Sequence, residues 1–328
     1  MSRTNSANNS SPATPFVNAN LSGIEILPLD APLGAEVRCD VRSLDQDGAA
    51  VIHQAFLDNL ALLIRGQEMN DEDLMRFGSM LGELAAPLPP EHGAEGARTS
   101  DENKYPMVSV VSNVVENGKT IGGLGDGEAQ WHTDFSYHEI PYAASILYAL
   151  EIPNTWGGDT SVLNMYAALE ALPNALRRQI EGMTIKGDQS MNSAGQRRKG
   201  VPETVDVRTS PGPSHPIVRT HPETGHNALY LGRRTFAYVN GLPIDESEEL
   251  LNELWAHATK GEFTYTNKWQ VGDILMWDNR CAMHHRKGFD PNARRIMHRV
   301  QTGGDRPTYS MRKSKNEPHP RSILNANY

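Results

Sequence analysis

The alternation of apolar and polar residues along the chain predicts many short strands and few helices. Four continuous apolar runs with polar or glycine boundaries are typical of buried strands: ALLIRG at 61–66, VSVVSNV at 108–114, YAASILYALEIP at 142–153 and DILMWDN at 273–279. The pattern predicts further strands at 24–29, 35–41, 217–221, 227–239, 262–270 and 293–303. Strands therefore outnumber helices, and they cluster after residue 105.

Apolar residues at helical spacing recur in a few segments. This spacing runs through 45–59, 70–82 and 164–181, and it returns in a helix capped near Asp245. Asn70 with Asp73 three residues later is typical of a helix N-terminus at which the side chains cap the backbone. The whole pattern predicts a single, mainly β domain at 22–308, with flanking helices packed outside one sheet.

Other segments lack periodicity. Residues 1–21 are rich in Ser, Asn and Ala and predict a disordered leader, while 309–328 form a tail without a clear pattern. The Pro-, Gly- and charge-rich stretch 84–107 predicts a long loop. Residues 186–215 contain almost no large apolar side chains, so they are either an active-site lid or a mobile, solvated loop.

Composition narrows the class of protein. With 38% hydrophobic residues the chain can bury a sizeable core, and its net charge of −9 argues against a general nucleic-acid binder. No apolar run is long enough for a membrane helix, and the N-terminal stretch lacks the apolar centre of a signal peptide. Cys39 and Cys281 are too few for a disulfide framework. We therefore expect a cytoplasmic protein that needs no membrane or nucleic-acid partner, and homo-oligomerisation stays open.

The segment WHTDFSYHEIP carries the strongest chemical signal. On an extended backbone, residues two apart face the same side, so His132 and Asp134 can hold one metal ion from a single strand. His284, after the apolar run DILMWDN, is the best third ligand. Two histidines and a carboxylate are the facial triad of non-haem Fe(II) oxygenases. Bringing His284 beside His132 requires distant strands to meet, as in a jelly roll.

Other residues near these motifs have alternative interpretations. His285 adjoins His284, and only one of two neighbours on a strand can face inward. His138 and His298 are better explained as structural residues. The glycine-rich stretch 118–130 lacks the Gly-Lys-Ser/Thr ending of a phosphate loop. Cys281 fits a small buried thiol.

Several motifs together resemble the taurine dioxygenase and 2,4-dichlorophenoxyacetate dioxygenase (TauD/TfdA) family over residues 22–308. They are WHTD, GGDT at 157–160, HPIVRTH at 215–221, GDILMWDNR at 272–280, His284 and RRIMHR at 294–299. The resemblance implies a double-stranded β-helix, or jelly roll, and favours His284 over His285. It also implies that His132, Asp134 and His284 bind Fe(II).

The resemblance further implies the cosubstrate and the reaction. Thr160 and Arg295 would bind the distal carboxylate of 2-oxoglutarate, since a guanidinium can hold a carboxylate through two parallel hydrogen bonds. Such enzymes use O2 to convert 2-oxoglutarate to succinate and carbon dioxide while they hydroxylate a substrate. A zinc-dependent hydrolase on the same triad is an alternative. A cupin-like binding protein without turnover is another.

The substrate is predicted from residues around the same strand. Arg299 shares a strand face with Arg295, and in the family this second arginine binds an acidic group of the substrate. Lys104, nine residues before Asn113, resembles the herbicide-degrading enzymes, so Lys104 and Asn113 are further substrate-binding candidates, although Lys104 fits a solvated loop charge equally well. Taurine enzymes carry a histidine where this chain has Ala85 and Ala86. A small anionic carboxylate is therefore preferred over a sulfonate.

Overall fold

A computed structural model describes residues 23–87, 98–101, 104–310 and 318–322. The predicted leader at 1–21 lies outside this range. The part of the predicted tail that is described packs against the domain, because Arg321 donates hydrogen bonds to the Asn59 side chain and the Gly34 carbonyl. None of the described helices is long and apolar enough to span a bilayer.

Short strands make up most of the regular structure. In chain order they are β1 Glu25–Pro28, β2 Ala35–Arg38, β3 Ala61–Ile64, β4 Arg98–Asp101, β5 Tyr105–Ser112, β6 Val115–Glu116, β7 Lys119–Thr120, β8 Gly123–Leu124, β9 Ala129–His132, β10 Ala144–Glu151, β11 Thr160–Asn164, β12 Thr184–Lys186, β13 Ser214–Pro216, β14 Val218–Thr220, β15 Asn227–Leu229, β16 Tyr238–Val239, β17 Thr264–Asn267, β18 Ile274–Asp278, β19 Ala282–Arg286 and β20 Ile296–Gln301.

The α-helices are few, as predicted. They are α1 Gln46–Asn59, α2 Asp71–Leu81, α3 Met165–Glu170, α4 Asn174–Ile180 and α5 Ile244–Ala258. The capping box of Asn70 and Asp73 at the start of α2 is confirmed. The predicted single helix at 164–181 is wrong, because Pro173 has no N–H to continue the helix and α4 starts after it. Helix α5 starts after Pro243, without a side-chain cap.

Two sheets form the centre of the domain. The large sheet runs β1-β2-β3-β18-β10-β20-β5-β4, with β8 also paired to β5, and the small sheet runs β17-β11-β19-β9. Most neighbouring strands are antiparallel and far apart in sequence, as β9 and β19 are. The prediction of a mainly β fold with few helices is confirmed.

Helices α1 and α2 cover one face of the large sheet. Their Phe56 and Phe77 share a core cluster with Ile146, Ile274 and Val300 of that sheet, as predicted. Helix α3 belongs to a second cluster, together with residues of β11 and α5. Its predicted position with the other two helices is therefore wrong.

Two predicted boundaries also differ from the structure. The predicted strand 227–239 divides into β15 and β16, because Gly232 and Phe236 have φ values of 68° and 55°, outside the extended region. The predicted loop 84–107 contains β4, which pairs with β5.

Candidate metal centre

His132 and His284 lie opposite each other on neighbouring strands of the small sheet. Strand β9 pairs with β19 so that these two residues are direct partners. Residues opposite each other in an antiparallel pair point to the same face, and the two imidazole centroids are 4.1 Å apart. The pairing therefore places two potential metal ligands side by side.

Asp134 completes the cluster from a turn and not from the strand. Strand β9 ends at His132, so the predicted reason for the proximity of His132 and Asp134, a shared strand face, is wrong. Asp134 Oδ1 nevertheless lies 3.5 Å from His132 Nε2, and Oδ2 lies 3.9 Å from His284 Nε2. All three residues are buried.

The turn after Asp134 is held by aromatic stacking. Phe135 has a φ of 61°, which is unfavourable for a bulky side chain. Its ring stacks on His138 at a centroid distance of 3.8 Å and on Tyr142 at 4.0 Å. His138 thus has a structural contact, and burial lowers its pKa to about 4.

Side chains on strands β10 and β20 of the large sheet hold the Asp134 carboxylate. Its Oδ2 accepts hydrogen bonds from Ser145 Oγ at 2.7 Å and Gln301 Nε2 at 3.1 Å, and Arg299 Nη1 lies 3.4 Å away. Burial opposes ionisation of Asp134, but Arg299, followed by His284, holds its pKa well below the usual range. Sequence reasoning missed Ser145 and Gln301. Arg295, Arg299 and Gln301 are separated by even numbers of residues, so an extended chain places them on the same face. This spacing was the available sequence signal that Gln301 lies near Asp134.

The two histidines are held in neutral form. His132 Nδ1 lies 2.6 Å from the Gln130 carbonyl and donates to it, which turns Nε2 towards Asp134. His284 is packed against Trp277 at a centroid distance of 4.4 Å. Burial lowers the pKa of both imidazoles. Neutral imidazole nitrogens and an ionised carboxylate are the forms that bind a divalent metal.

His285 points away from this cluster. Its Nε2 lies 2.5 Å from Glu128 Oε1, and its ring stacks on Trp131. Of the two neighbouring histidines, only His284 therefore faces Asp134.

A second buried group contains His221, Asp278 and Cys281. His221 Nδ1 accepts from the backbone N–H groups of Glu223 and Thr224, so its Nε2 donates to Asp278. Asp278 also accepts from the Arg280 backbone and guanidinium. These contacts leave the histidine and the carboxylate without a vacant ligand atom. Asp278 fixes the turn before His284.

Arg295 lies in a buried position, and no carboxylate of the described residues forms an ion pair with it. It is 1% exposed, and its Nε and Nη2 have no hydrogen-bond partner among the described residues. Burial, and secondarily Arg286, lowers the pKa of Arg295 to about 9, so it stays charged at neutral pH. A buried, unpaired guanidinium is costly, so Arg295 is suited to receive a carboxylate.

The GGDT motif passes close to this guanidinium. A Cβ on Gly158 would lie 3.6 Å from Arg295 Cδ, and a Cβ on Gly157 would lie 2.2 Å from the Gly288 carbonyl oxygen, so glycine is required at 157. Thr160 is buried, and its hydroxyl accepts a hydrogen bond from Trp269 Nε1 at 3.0 Å. The hydroxyl hydrogen of Thr160 is therefore available for another acceptor.

The candidate substrate residues lie in different surroundings. Arg299 adjoins Asp134, and its Nε has no partner in the described part of the chain. Lys104 is exposed and lies over the Tyr105 ring, 4.8 Å from its centroid. Asn113 accepts from the Arg295 backbone N–H and donates to the Ala293 carbonyl. Both ends of its amide thus hold the backbone around Arg295, and its role as a substrate-binding residue stays a prediction.

The chain is similar to characterised enzymes, one of which is named for its dependence on alpha-ketoglutarate (2-oxoglutarate). It is 32% identical to pentalenolactone F synthase from Streptomyces arenae over 87% of this chain and 97% of that protein. It is also 32% identical to alpha-ketoglutarate-dependent 2,4-dichlorophenoxyacetate dioxygenase from Cupriavidus pinatubonensis, over 89% and 98% of the two chains.

Solved structures have the same fold. A taurine dioxygenase from Burkholderia xenovorans superposes with a TM-score of 0.68 at 30% identity, over 87% of this chain and 93% of that one. AAD-2, solved with Mn(II) and N-oxalylglycine, superposes with a TM-score of 0.67 at 28% identity, over 87% and 99%. The family model described as taurine catabolism dioxygenase TauD, TfdA family matches residues 25–301. The predicted family and enzyme class are confirmed: the chain belongs to the TauD/TfdA family of dioxygenases.

Proposed function

We propose that this protein uses Fe(II), 2-oxoglutarate and O2 to hydroxylate a small organic acid. The single observation that carries the proposal is the buried set His132, Asp134 and His284, whose Nε2 and carboxylate atoms converge. Iron held by such a set supplies oxygen activation, which in this family is coupled to conversion of 2-oxoglutarate into succinate and carbon dioxide.

The protein orients the cosubstrate through its distal carboxylate. Arg295 offers two unpartnered nitrogens and Thr160 offers a hydroxyl hydrogen. Two donors fix both the position and the direction of a carboxylate. They would leave the keto acid end free to point towards His132, Asp134 and His284.

The substrate acid is assigned to Arg299. This arginine lies on β20 beside the cluster, so it can hold a charged group while a C–H bond stays near the metal. Lys104 is a weaker candidate, since an exposed lysine contributes little unless the loop that carries it closes. A carboxylate substrate is favoured over a sulfonate, because no histidine stands at Ala85 or Ala86.

The jelly roll predicted from the family resemblance also enters the proposal. The large and small sheets would be the two layers of this jelly roll, with the metal between them. A zinc hydrolase on the same triad is the weaker alternative, because hydrolysis gives Arg295 and Thr160 no task.

The test measures succinate formation by protein reconstituted anaerobically with Fe(II) and then exposed to air. We expect release that requires both 2-oxoglutarate and O2 and that rises with a panel of small carboxylates. Matching amides and sulfonates serve as controls. Hydrolysis products without oxygen consumption would support the zinc hydrolase instead. Equal turnover of acids and amides would contradict the role of Arg299.

A further inference from the structure

Two further arginines lie buried near the candidate metal ligands His132, Asp134 and His284. Arg233 is 8% exposed and Arg198 is 7% exposed. Their guanidinium carbons lie 5.0 Å and 3.9 Å from the centroid of the same Tyr137 ring. Arg233 Nη1 and Arg198 Nε also donate to one carbonyl, that of Met191. The two cations therefore share both a ring and an acceptor.

The backbone places Arg233 next to β9, the strand that ends at the candidate ligand His132. Arg233 forms a β-bridge with His132, and Thr133 donates its N–H to the Gly232 carbonyl. Arg198 comes from the segment 186–215, which packs on the same strand, because the Ser193 carbonyl accepts from the Gln130 N–H. Buried polar residues in this segment include Asp188, Ser190 and Asn192. A freely solvated loop is therefore not what the structure shows.

Neither arginine has a carboxylate partner within 4.0 Å among the described residues. Arg233 Nε has no hydrogen-bond partner there, which is the same condition that marks Arg295. Burial, and secondarily Arg198, lowers the pKa of Arg233 to about 10, so it remains charged at neutral pH. Two unpaired cations this close repel each other and are costly to bury, and an anion between them would relieve both costs.

A cavity adjoins Arg233 and the Tyr137 ring. It is also lined by Ser136, Asp188 and Tyr230. The Asp188 carboxylate is held by donors of its own segment, the Ser190 N–H and hydroxyl and the Met191 N–H. The Tyr230 hydroxyl is buried without a described partner. The residues that line the cavity therefore include two buried donors without a described partner, Arg233 Nε and the Tyr230 hydroxyl, and one carboxylate that already has its own donors.

We propose that Arg233 and Arg198 bind a second acidic group of the substrate, separate from the one assigned to Arg299. This inference rests on the proposed function, which supplies the substrate chamber. It narrows the substrate class to organic acids with two anionic groups that flank the carbon to be oxidised.

The test measures binding, so it does not depend on turnover. Protein is loaded anaerobically with Fe(II) and with N-oxalylglycine, which fills the cosubstrate site. Calorimetry then compares adipate, pimelate and suberate with hexanoate, heptanoate and octanoate. We expect the best dicarboxylate to bind about tenfold tighter than its monocarboxylate, as one charge-assisted contact provides.

Substitutions test whether Arg233 and Arg198 cause the preference for the dicarboxylate. Arg233→Gln and Arg198→Gln should each reduce the preference for the dicarboxylate, whereas Arg233→Lys should keep part of it. Arg178→Gln is the matched control, since Arg178 is exposed on α4. Thermal unfolding and the binding of N-oxalylglycine confirm that each variant is folded.

Two outcomes would overturn the inference. One is the absence of a dicarboxylate preference in the unmodified protein, through equal binding or no binding. The other is a preference that survives both Arg233→Gln and Arg198→Gln. Succinate release from 2-oxoglutarate is measured in parallel. Its absence contradicts the proposed function, while its presence without the preference contradicts this inference alone.

Discussion

Within the described residues, two buried groups of side chains have the residue types and the proximity of a metal site, but their chemistry differs. In the group of His221, Asp278 and Cys281, neighbouring donors and acceptors already occupy the ring nitrogens and the carboxylate. Burial also raises the pKa of the Cys281 thiol well above its usual range, which keeps it protonated.

In the other group, the ligand atoms face one another. His132 uses Nδ1 for the Gln130 carbonyl and leaves Nε2 free, and Asp134 uses mainly Oδ2 for its neighbours. Residue type and proximity alone do not separate the two groups. What separates them is whether the partners turn the ligand atoms towards a common point or away from it.

The largest effect should follow from breaking the group around Asp134. Asp134→Ala should abolish metal binding and 2-oxoglutarate-dependent oxygen uptake, because the only carboxylate of the set is lost. Metal content and oxygen consumption are measured. His285→Ala is the matched control, since this histidine contacts Glu128 instead, and it should keep its iron. Full oxygen uptake by Asp134→Ala would refute the assigned ligand set.

Breaking the second group should affect folding instead. Asp278→Asn removes the carboxylate that accepts hydrogen bonds from the buried Arg280 and His221. Arg280 keeps its ion pair with Glu223, so the free energy of unfolding should fall by about 3 kcal/mol. Urea unfolding measures this change. The folded fraction should keep its metal content, and a protein of normal stability that has lost its metal would reverse the two roles.

A third substitution, at Arg295, tests whether this residue binds the cosubstrate. Arg295→Gln removes the charge while keeping some hydrogen bonding, so affinity for 2-oxoglutarate should weaken by about 2–3 kcal/mol. Arg294→Gln is the neighbouring control, because Arg294 is exposed and paired with Glu151. The apparent Michaelis constant for 2-oxoglutarate is the readout. An unchanged value would remove Arg295 from the site.

The smallest effect concerns His319, which stacks on Tyr166 near the second group. Its Nδ1 accepts from the Arg321 N–H, its Nε2 lies 3.2 Å from the Leu57 carbonyl, and burial lowers its pKa to about 4. The unfolded chain therefore takes up a proton first as the pH falls below about 6.5. His319 alone should therefore cost the metal-free protein up to about 2 kcal/mol of stability between pH 7 and pH 5.

His319→Gln should flatten this part of the stability profile. Urea unfolding at several pH values measures the difference between the variant and the unmodified protein. Equal slopes would mean that other groups set the pH dependence.

The sequence was sufficient for the periodic elements and for the metal candidates. Apolar runs at 61–64 and 274–278 became buried strands, and the Asn70 cap was visible from residue types alone. His132, Asp134 and His284 could be selected from the motif spacing of the family.

The remaining features depended on tertiary contacts. The turn that carries Asp134 relies on Phe135 stacking between His138 and Tyr142, which no local pattern indicates. Asn113 had the residue type of a ligand contact, yet it supports the Arg295 backbone across strands. Arg198 looked like one more charge in a polar segment, and only folding buries it beside Tyr137.

The candidate ligands come from both sides of the domain. The two histidines belong to the small sheet, whereas Asp134 accepts hydrogen bonds from Ser145 and Gln301 of the large sheet. A cation bound to all three would act as a non-covalent cross-link between the two layers. By mass action it would stabilise their packing by an amount that rises with the logarithm of its free concentration. Metal supply would then affect the stability of the folded protein as well as its activity.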